Sequence, residues 1–355
     1  MTDMHMIPVK SNPRAKREPP FVSVIYSFFN ERQILPALLE RTRKVLRSRE
    51  DISGYELVFV NDSSTDDSQD YLCEQVEAEG DILLLNTSRN FGVSECVYAG
   101  FKSAKGDAVV YLDADLQDPP EVIHKLLDVF MSDCEAEVVY TTRKKRYGEH
   151  WLKMLITKLG YRLIKSVSNI EIPLDSGDFK LLSRRIINLL LENEERLPYI
   201  RGLVSYYGFK QVQVFYDRDA RFDGAENSKF PIFSRRVIYN YFDSALISFS
   251  DAPLKLGLFL GFLTAGLASI YLIVVLVQKF LGLHEAGWPA IMATMLVLGG
   301  AQLIITGFIG LYIKAIFLEV KRRPNYVIKD YVKKNDSAST QAKNQVDTPP
   351  SDPRP

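Results

Sequence analysis

Ala108-Val109-Val110-Tyr111-Leu112-Asp113-Ala114-Asp115-Leu116-Gln117-Asp118-Pro119-Pro120-Glu121 is the stretch on which the reading of the fold turns. Its first five residues are apolar and rich in valine, a short run bounded by polar residues that reads as a buried strand. The strand opens directly onto Asp113, Asp115, Gln117 and Asp118. Asp118 is placed to cap a helix whose first turn holds Pro119 and Pro120, with Glu121 third. A buried strand, an acidic exit and a helix make one unit of an α/β fold, with its polar groups gathered at the carboxyl end of the strand.

The same alternation extends outward in both directions. Strands are predicted over residues 21–26, 55–60, 82–85 and 136–141, and helices over 34–46, 68–78 and 94–103. A further helix is predicted over 181–191, with Asp178 as its N-cap. Alternation of this kind implies a mainly parallel, doubly wound sheet. Ligands of such sheets lie beyond the carboxyl ends of the strands. Those ends carry Asn30-Glu31, then Asn61 to Asp67, then Arg89-Asn90-Phe91-Gly92, and finally the acidic exit above. No glycine-rich phosphate loop of the G-x-G-x-x-G or G-x-x-x-x-G-K-[ST] type occurs, so a nucleotide would have to be held by another device.

The formal net charge of the 355 residues is zero, which gives no overall field for nucleic acid. Three cysteines (Cys73, Cys96, Cys134) without metal-like spacing read as reduced thiols, and four scattered histidines make no zinc site. Two runs, 256–277 and 286–313, contain no charged residue. Each exceeds the roughly 20 residues a helix needs to cross a bilayer, so a transmembrane hairpin is expected. Arg235, Arg236 and Lys255 precede it, and Lys314, Lys321, Arg322, Arg323, Lys329, Lys333 and Lys334 follow, against Lys279 alone in the turn. The positive-inside rule then puts both termini and the α/β domain in the cytoplasm.

Two carboxylates two residues apart at a strand exit suit a hard divalent cation that bridges substrate phosphates. A lone D-x-D is more often a solvated turn. Here residues 111–121 resemble family 2 glycosyltransferases, and more closely their dolichyl- and polyprenyl-phosphate hexose synthase branch. Other blocks agree in order: Asn61 to Asp66, Ser88-Arg89-Asn90-Phe91-Gly92, the R-x-x-R-x-G-E pattern from Arg143 to Glu149, Ser176-Gly177-Asp178-Phe179-Lys180-Leu181, and the basic segment from Arg221 to Lys229.

The resemblance implies a glycosyltransferase A-type domain and the following roles. Asp113, Asp115 and Gln117 hold Mg²⁺ or Mn²⁺ against the donor diphosphate. Asp62 binds base or ribose, and Glu31 and Phe29 lie in the first donor-contacting loop. That loop departs from the family pattern, with Ser27 in place of proline and Phe29 in place of tyrosine; Phe29 can stack but has no hydroxyl. Asp178 stands where the family places a base. A lipid phosphate is already largely dianionic at neutral pH, so an orienting role for Asp178 is the more economical one. Arg143, Arg146, Arg221 and Lys229 are expected on the acceptor phosphate, where the arginine fork suits paired oxygens. Cys96 is read as core packing.

The expected organisation is a disordered segment 1–20, a glycosyltransferase domain 21–230, a juxtamembrane helix 231–253, a membrane hairpin 254–318, and a basic then disordered tail 319–355. Within the domain, Trp151 with Leu152, Leu155, Ile156, Leu159 and Leu163 at helical spacing marks an interfacial amphipathic helix over 147–167. The implied reaction is inverting transfer of a hexose from a nucleotide-sugar, UDP-glucose by preference, to polyprenyl phosphate, with UDP-N-acetylhexosamine or GDP-mannose as alternative donors. A homotetramer is consistent with the resemblance. Rival readings are a processive polysaccharide synthase, which would carry a Q-x-x-R-W motif absent here, and a catalytically silent membrane-bound binding module.

Overall fold

A computed structural model describes residues 17–143, 176–193, 195, 198–217, 252–281 and 287–334. Strand β1 (Phe21–Phe28) leads to helix α1 (Leu35–Arg47), β2 (Gly54–Asn61), α2 (Ser68–Glu79), β3 (Ile82–Thr87), α3 (Val93–Ser103) and β4 (Ala108–Asp113). Then come α4 (Val122–Ser132), β5 (Val138–Arg143), β6 (Ser176–Ser183), α5 (Arg184–Glu192), α6 (Ile200–Tyr206) and β7 (Gln211–Tyr216). Two long helices, α7 (Ala252–Phe280) and α8 (Trp288–Lys321), precede β8 (Ile328–Lys333).

The eight strands among the described residues join one sheet in the order β7-β5-β6-β4-β1-β2-β3-β8. The central four, β3-β2-β1-β4, are parallel. β6 runs antiparallel to both β4 and β5, β7 parallel to β5, and β8 antiparallel to β3. The sheet is therefore mixed, where the alternation up to residue 141 predicts a mainly parallel one. The parallel half is the part that the strand-helix rhythm encodes.

Period-two alternation along β1 explains the two layers. Val22, Val24, Tyr26 and Phe28 face one side, packed with Leu38 and Leu39 of α1, Leu72 and Val76 of α2, and Leu126 and Phe130 of α4. Ile25 faces the other, with Val58, Val109 and Tyr111, under α3, α5 and α6. Tyr26 stacks on Phe59 with ring centroids 5.0 Å apart. Cys96 lies fully buried in the second layer, as expected of a packing residue, and burial together with Asp62 pushes its thiol pKa well up.

Two local expectations are corrected. Residues 176–183 form a strand, so Asp178 does not cap a helix; Ser183 does, its Oγ accepting the Ile186 N–H at 3.3 Å. Nor does Asp118 cap α4, which begins at Val122 with Glu121 at its N-cap position and no side-chain cap bond. The buried Asp118 carboxylate instead accepts the hydroxyl of Tyr216, tying the start of α4 to the end of β7.

The hairpin is only partly matched. Both long helices exist, but among the described residues one stretch, Val297–Lys321 in α8, is long and apolar enough to cross a membrane, not two. In α7 the apolar stretch so delimited is Gly261–Tyr271. Val297–Lys321 covers 25 residues, none of it buried within the chain. At about 1.5 Å per residue that reaches past a hydrocarbon core of about 30 Å. The interfacial helix over 147–167 and the juxtamembrane segment lie outside the described residues, apart from the first residues of α7.

Candidate active site

Each of the four parallel strands leaves the sheet near a residue in the left-handed region. These are Asn30 (φ 58°) after β1, Ser63 (φ 62°) after β2, Gly92 (φ 113°) before α3, and Leu116 (φ 55°) after β4. A leucine in that region costs roughly 1–2 kcal/mol. Leu116 is 1% exposed, and core packing offsets the strain. Non-glycine residues so held cluster at functional sites more than elsewhere. Three of them at one edge of one sheet mark that edge.

Hydrogen bonds lace the first two exits together. The Asn30 N–H donates to Ser64 Oγ at 3.0 Å, and the Thr65 N–H donates to Asn30 Oδ1 at 2.8 Å. Arg32 N–H donates to Asp66 Oδ2 at 3.2 Å, and Ser64 N–H to Asn61 Oδ1 at 2.9 Å. Phe29 projects from this rim, 46% exposed, where an aromatic face is open to stacking. Glu31 follows it, its main-chain carbonyl accepting the N–H groups of Ile34 and Leu35 at the start of α1.

Asp62 has a partner set that sequence reasoning does not supply. It is 5% exposed, and its carboxylate accepts the main-chain N–H of Phe91 at 2.7 Å and of Gly92 at 2.9 Å, one on each oxygen. The aspartate expected on the donor base or ribose thus organises the β3–α3 loop, where Arg89 stacks over Phe91. Within the same loop end, burial raises the Glu95 pKa, with Asp62 adding to it.

The β4 exit carries the expected metal set. Asp113 pairs in register with Ser27 of β1, and Ala114 is buried between the half-buried Asp113 and Asp115. Asp115 Oδ1 accepts the Gln117 N–H at 3.0 Å, which folds the exit into a tight acidic turn. Among the described residues no three His, Cys, Asp or Glu side chains close around one point. Two carboxylates and an amide in an all-oxygen set nonetheless suit Mg²⁺ or Mn²⁺, which are held by one or two carboxylates plus substrate phosphate oxygens. The residues fit such an ion.

Beside this exit stands a charged group that sequence reasoning missed in part. Both Nε and an Nη of Arg201, on α6, donate to Asp178 Oδ1, at 3.0 and 2.8 Å. Burial works to lower the Arg201 pKa, Asp178 with Tyr199 and Tyr111 raises it, and the net direction is up. Lys180, on the next same-face position of β6, pairs in register with Tyr111 and is 3% exposed. Desolvation, then Arg201, bring its pKa down to about 7 against the opposing pull of Asp178. The hydroxyls of Tyr111, Tyr98 and Ser27 are buried on this face with no hydrogen-bond partner among the described residues. Arg201 sits in a seven-residue helix with no motif around it, so no signal in the sequence singles it out; Lys180 lies inside the Ser176 to Leu181 block, whose resemblance implies a role for Asp178 alone.

Of the expected acceptor-phosphate cations, Arg143 is the last residue of β5, in register with Tyr216. Arg146, Arg221 and Lys229 lie outside the described residues.

Comparison with known proteins identifies the family. Residues 23–191 match Glycosyl transferase family 2. An uncharacterized glycosyltransferase of Synechocystis sp. is 35% identical over 310 residues, covering 87% of this chain and 95% of its own length. A prophage bactoprenol glucosyl transferase homolog of Escherichia coli K12 is 32% identical over 311 residues, covering 87% and 98%. Among solved structures, glucosyl-3-phosphoglycerate synthase of Mycobacterium tuberculosis, in complex with Mn²⁺, UDP-glucose and glycerol 3-phosphate, overlaps 63% of this chain and 80% of its own at a TM-score of 0.39 and 18% identity. With relatives at this identity spanning nearly their whole length, and the family region lying over the sheet that carries the acidic exit, the chain belongs to glycosyl transferase family 2.

Proposed function

We propose that this chain transfers a hexose from a nucleoside-diphosphate sugar to a polyprenyl phosphate, with inversion at the anomeric carbon. A phosphate oxygen of the lipid forms the new bond to that carbon while its bond to the donor diphosphate breaks, so the products are polyprenyl-phosphate hexose and nucleoside diphosphate. The observation that carries the reading is the acidic exit of β4 beside the laced exits of β1 and β2, in a chain whose relatives along almost their full length include bactoprenol glucosyl transferases.

The residues divide the work by chemistry. Phe29 offers a stacking face for the base, and Glu31 with the Asp62-organised loop shapes the donor side. Asp113, Asp115 and Gln117 would hold the divalent ion, Mg²⁺ or Mn²⁺, which when bound neutralises the charge growing on the leaving diphosphate. Asp178, held by Arg201 through one oxygen, orients donor or acceptor at the reacting carbon. Arg143, with Arg146, Arg221 and Lys229, is assigned to the lipid phosphate. Helix α8, together with α7, anchors the domain at the membrane face that carries the cationic cluster from Lys314 to Lys334. UDP-glucose is the favoured donor, since the relatives from Shigella phages are bactoprenol glucosyl transferases.

The test is nucleoside diphosphate release by the detergent-purified chain with polyprenyl phosphate and Mn²⁺ or Mg²⁺. UDP-glucose, UDP-N-acetylglucosamine and GDP-mannose are compared beside D115A. Lipid-dependent turnover of one donor, lost in D115A, is the expected result. No turnover and no metal-dependent donor binding would leave the silent binding module as the better reading.

A further inference from the structure

Strand β8 reaches the donor side of the site through a line of side chains. Asn61, Asn86 and Asp330 are register partners across β2, β3 and β8, so their side chains share one face of the sheet. Asn61 Nδ2 donates to Asn86 Oδ1 at 2.9 Å, and Asn86 Nδ2 donates to Asp330 Oδ1 at 2.5 Å. At the other end Asn61 Oδ1 accepts the Ser64 N–H, and Ser64 Oγ accepts the Asn30 N–H. The line therefore runs from residue 330 to the rim from which Phe29 projects. Asn61 and Asn86 are 1% and 2% exposed, so water is a poor substitute for any lost partner.

The direction of this line is set at one end. A carboxylate accepts hydrogen bonds and donates none, whereas each asparagine can face either way. With Asp330 at the edge, Asn86 must turn its NH₂ outward and its oxygen inward. Asn61 must then turn its NH₂ to Asn86 and its oxygen to the Ser64 N–H. Reverse the first member, and the last presents an NH₂ to an N–H, which breaks the turn. We propose that Asp330 is a positioning residue for the donor site, one that fixes the polarity of the Asn86–Asn61–Ser64 relay and thereby the shape of the turn at 63–66. It lies beyond the region that matches the family, on the strand that follows α8. The inference rests on the proposed donor-contacting role of that turn.

The test uses the full chain in detergent and measures donor KM, acceptor KM and kcat with UDP-glucose and polyprenyl phosphate, together with UDP binding in Mn²⁺. One neutral hydrogen bond of the relay corresponds to roughly a 3- to 10-fold change. D330N, which can still accept, is expected to raise donor KM least, D330A about 3-fold, and D330K, which can only donate, about 10-fold or more. Acceptor KM and kcat at saturating donor stay within twofold. The double variant D330K/N86D restores an acceptor-only group facing Asn61 and gives the added lysine a partner, so donor KM returns most of the way to the wild-type value. A merely structural residue would not show that rescue with the same ordering. Equal donor KM across the series, or donor and acceptor KM rising together, would overturn the relay while leaving the proposed activity standing. Absence of both turnover and nucleotide binding in the wild-type chain, with GDP-mannose and UDP-N-acetylglucosamine also tried, would overturn the donor-site reading and the relay with it.

Discussion

Replacing Asp62 by asparagine changes almost no volume and separates its two possible duties. In the fold, its two oxygens each take one main-chain N–H, from Phe91 and Gly92. Hydrogen bonds to a charged group contribute about 1.5–3 kcal/mol each when buried. Phe91 and Gly92 are only half-buried, so water recovers part of the loss, and about 2–4 kcal/mol is expected for D62A. D62N keeps one acceptor but turns an NH₂ toward the second N–H, so it should lose nearly as much. At about 2–4 °C per kcal/mol for a domain of this size, the melting midpoint falls by roughly 5–15 °C. The assay pairs thermal unfolding in detergent with limited proteolysis, in which cleavage should appear at 88–92 in both variants. If D62N melted and resisted proteolysis like the wild type while losing nucleotide affinity, the carboxylate would belong to the ligand and the loop-organising account would fail.

Arg201→Lys loses the planar fork that gives Asp178 Oδ1 two N–H groups; kcat should fall about 10-fold with donor KM within twofold, by the loss of one charged hydrogen bond. Equal kcat in steady-state assays would show that Asp178 needs no holding. Lys180 has its folded pKa near 7, below the ordinary 10.5, so between those values the unfolded chain carries a proton the folded one has shed. Stability should therefore rise with pH across that window, by up to about 1.4 kcal/mol per unit. K180M, measured by urea midpoints from pH 7 to 10, should lack that slope. A Cβ on Gly106 would stand 2.5 Å from the Ser23 nitrogen and 2.9 Å from the Ala108 oxygen, both main chain; G106A should cost roughly 1–3 kcal/mol or more in a denaturation curve.

The strand-helix rhythm through Ser132 was legible because each element there buries a face against its immediate neighbours. Predicted and observed bounds differ by at most about two residues at β1, α1, β2, α2, β3 and α3. The rhythm fails where the sheet turns antiparallel. Residues 181–183 continue a strand, yet Leu181 and Leu182 followed by Ile186, Ile187 and Leu190 also satisfy a helical period, and the two readings compete over the same leucines. β7 and β8 are short and mix polar with apolar residues, and what fixes them is a partner far off in sequence. The acidic exit of β4 could be placed from the sequence, and so could the loop at 88–92. The Asp62 bonds to that loop, the Arg201 fork on Asp178 and the Tyr216 bond to Asp118 could not, because each joins segments whose proximity only the folded sheet creates.

The pairing of β8 with β3 joins residues 244 apart, with α7 and α8 between them. On a ribosome, β3 emerges early and its partner only after both long helices have left the exit tunnel. Until then β3 is the bare margin of a growing sheet, open to pairing with another chain. Emergence of the two helices and closure of the sheet are thereby placed in a fixed order. A fragment ending before α7 would keep every residue of the acidic exit and yet carry an unsealed margin, so it should aggregate or pair through β3 where the full chain does not. Supplying residues 325–334 as a separate peptide is the simplest way to seal it.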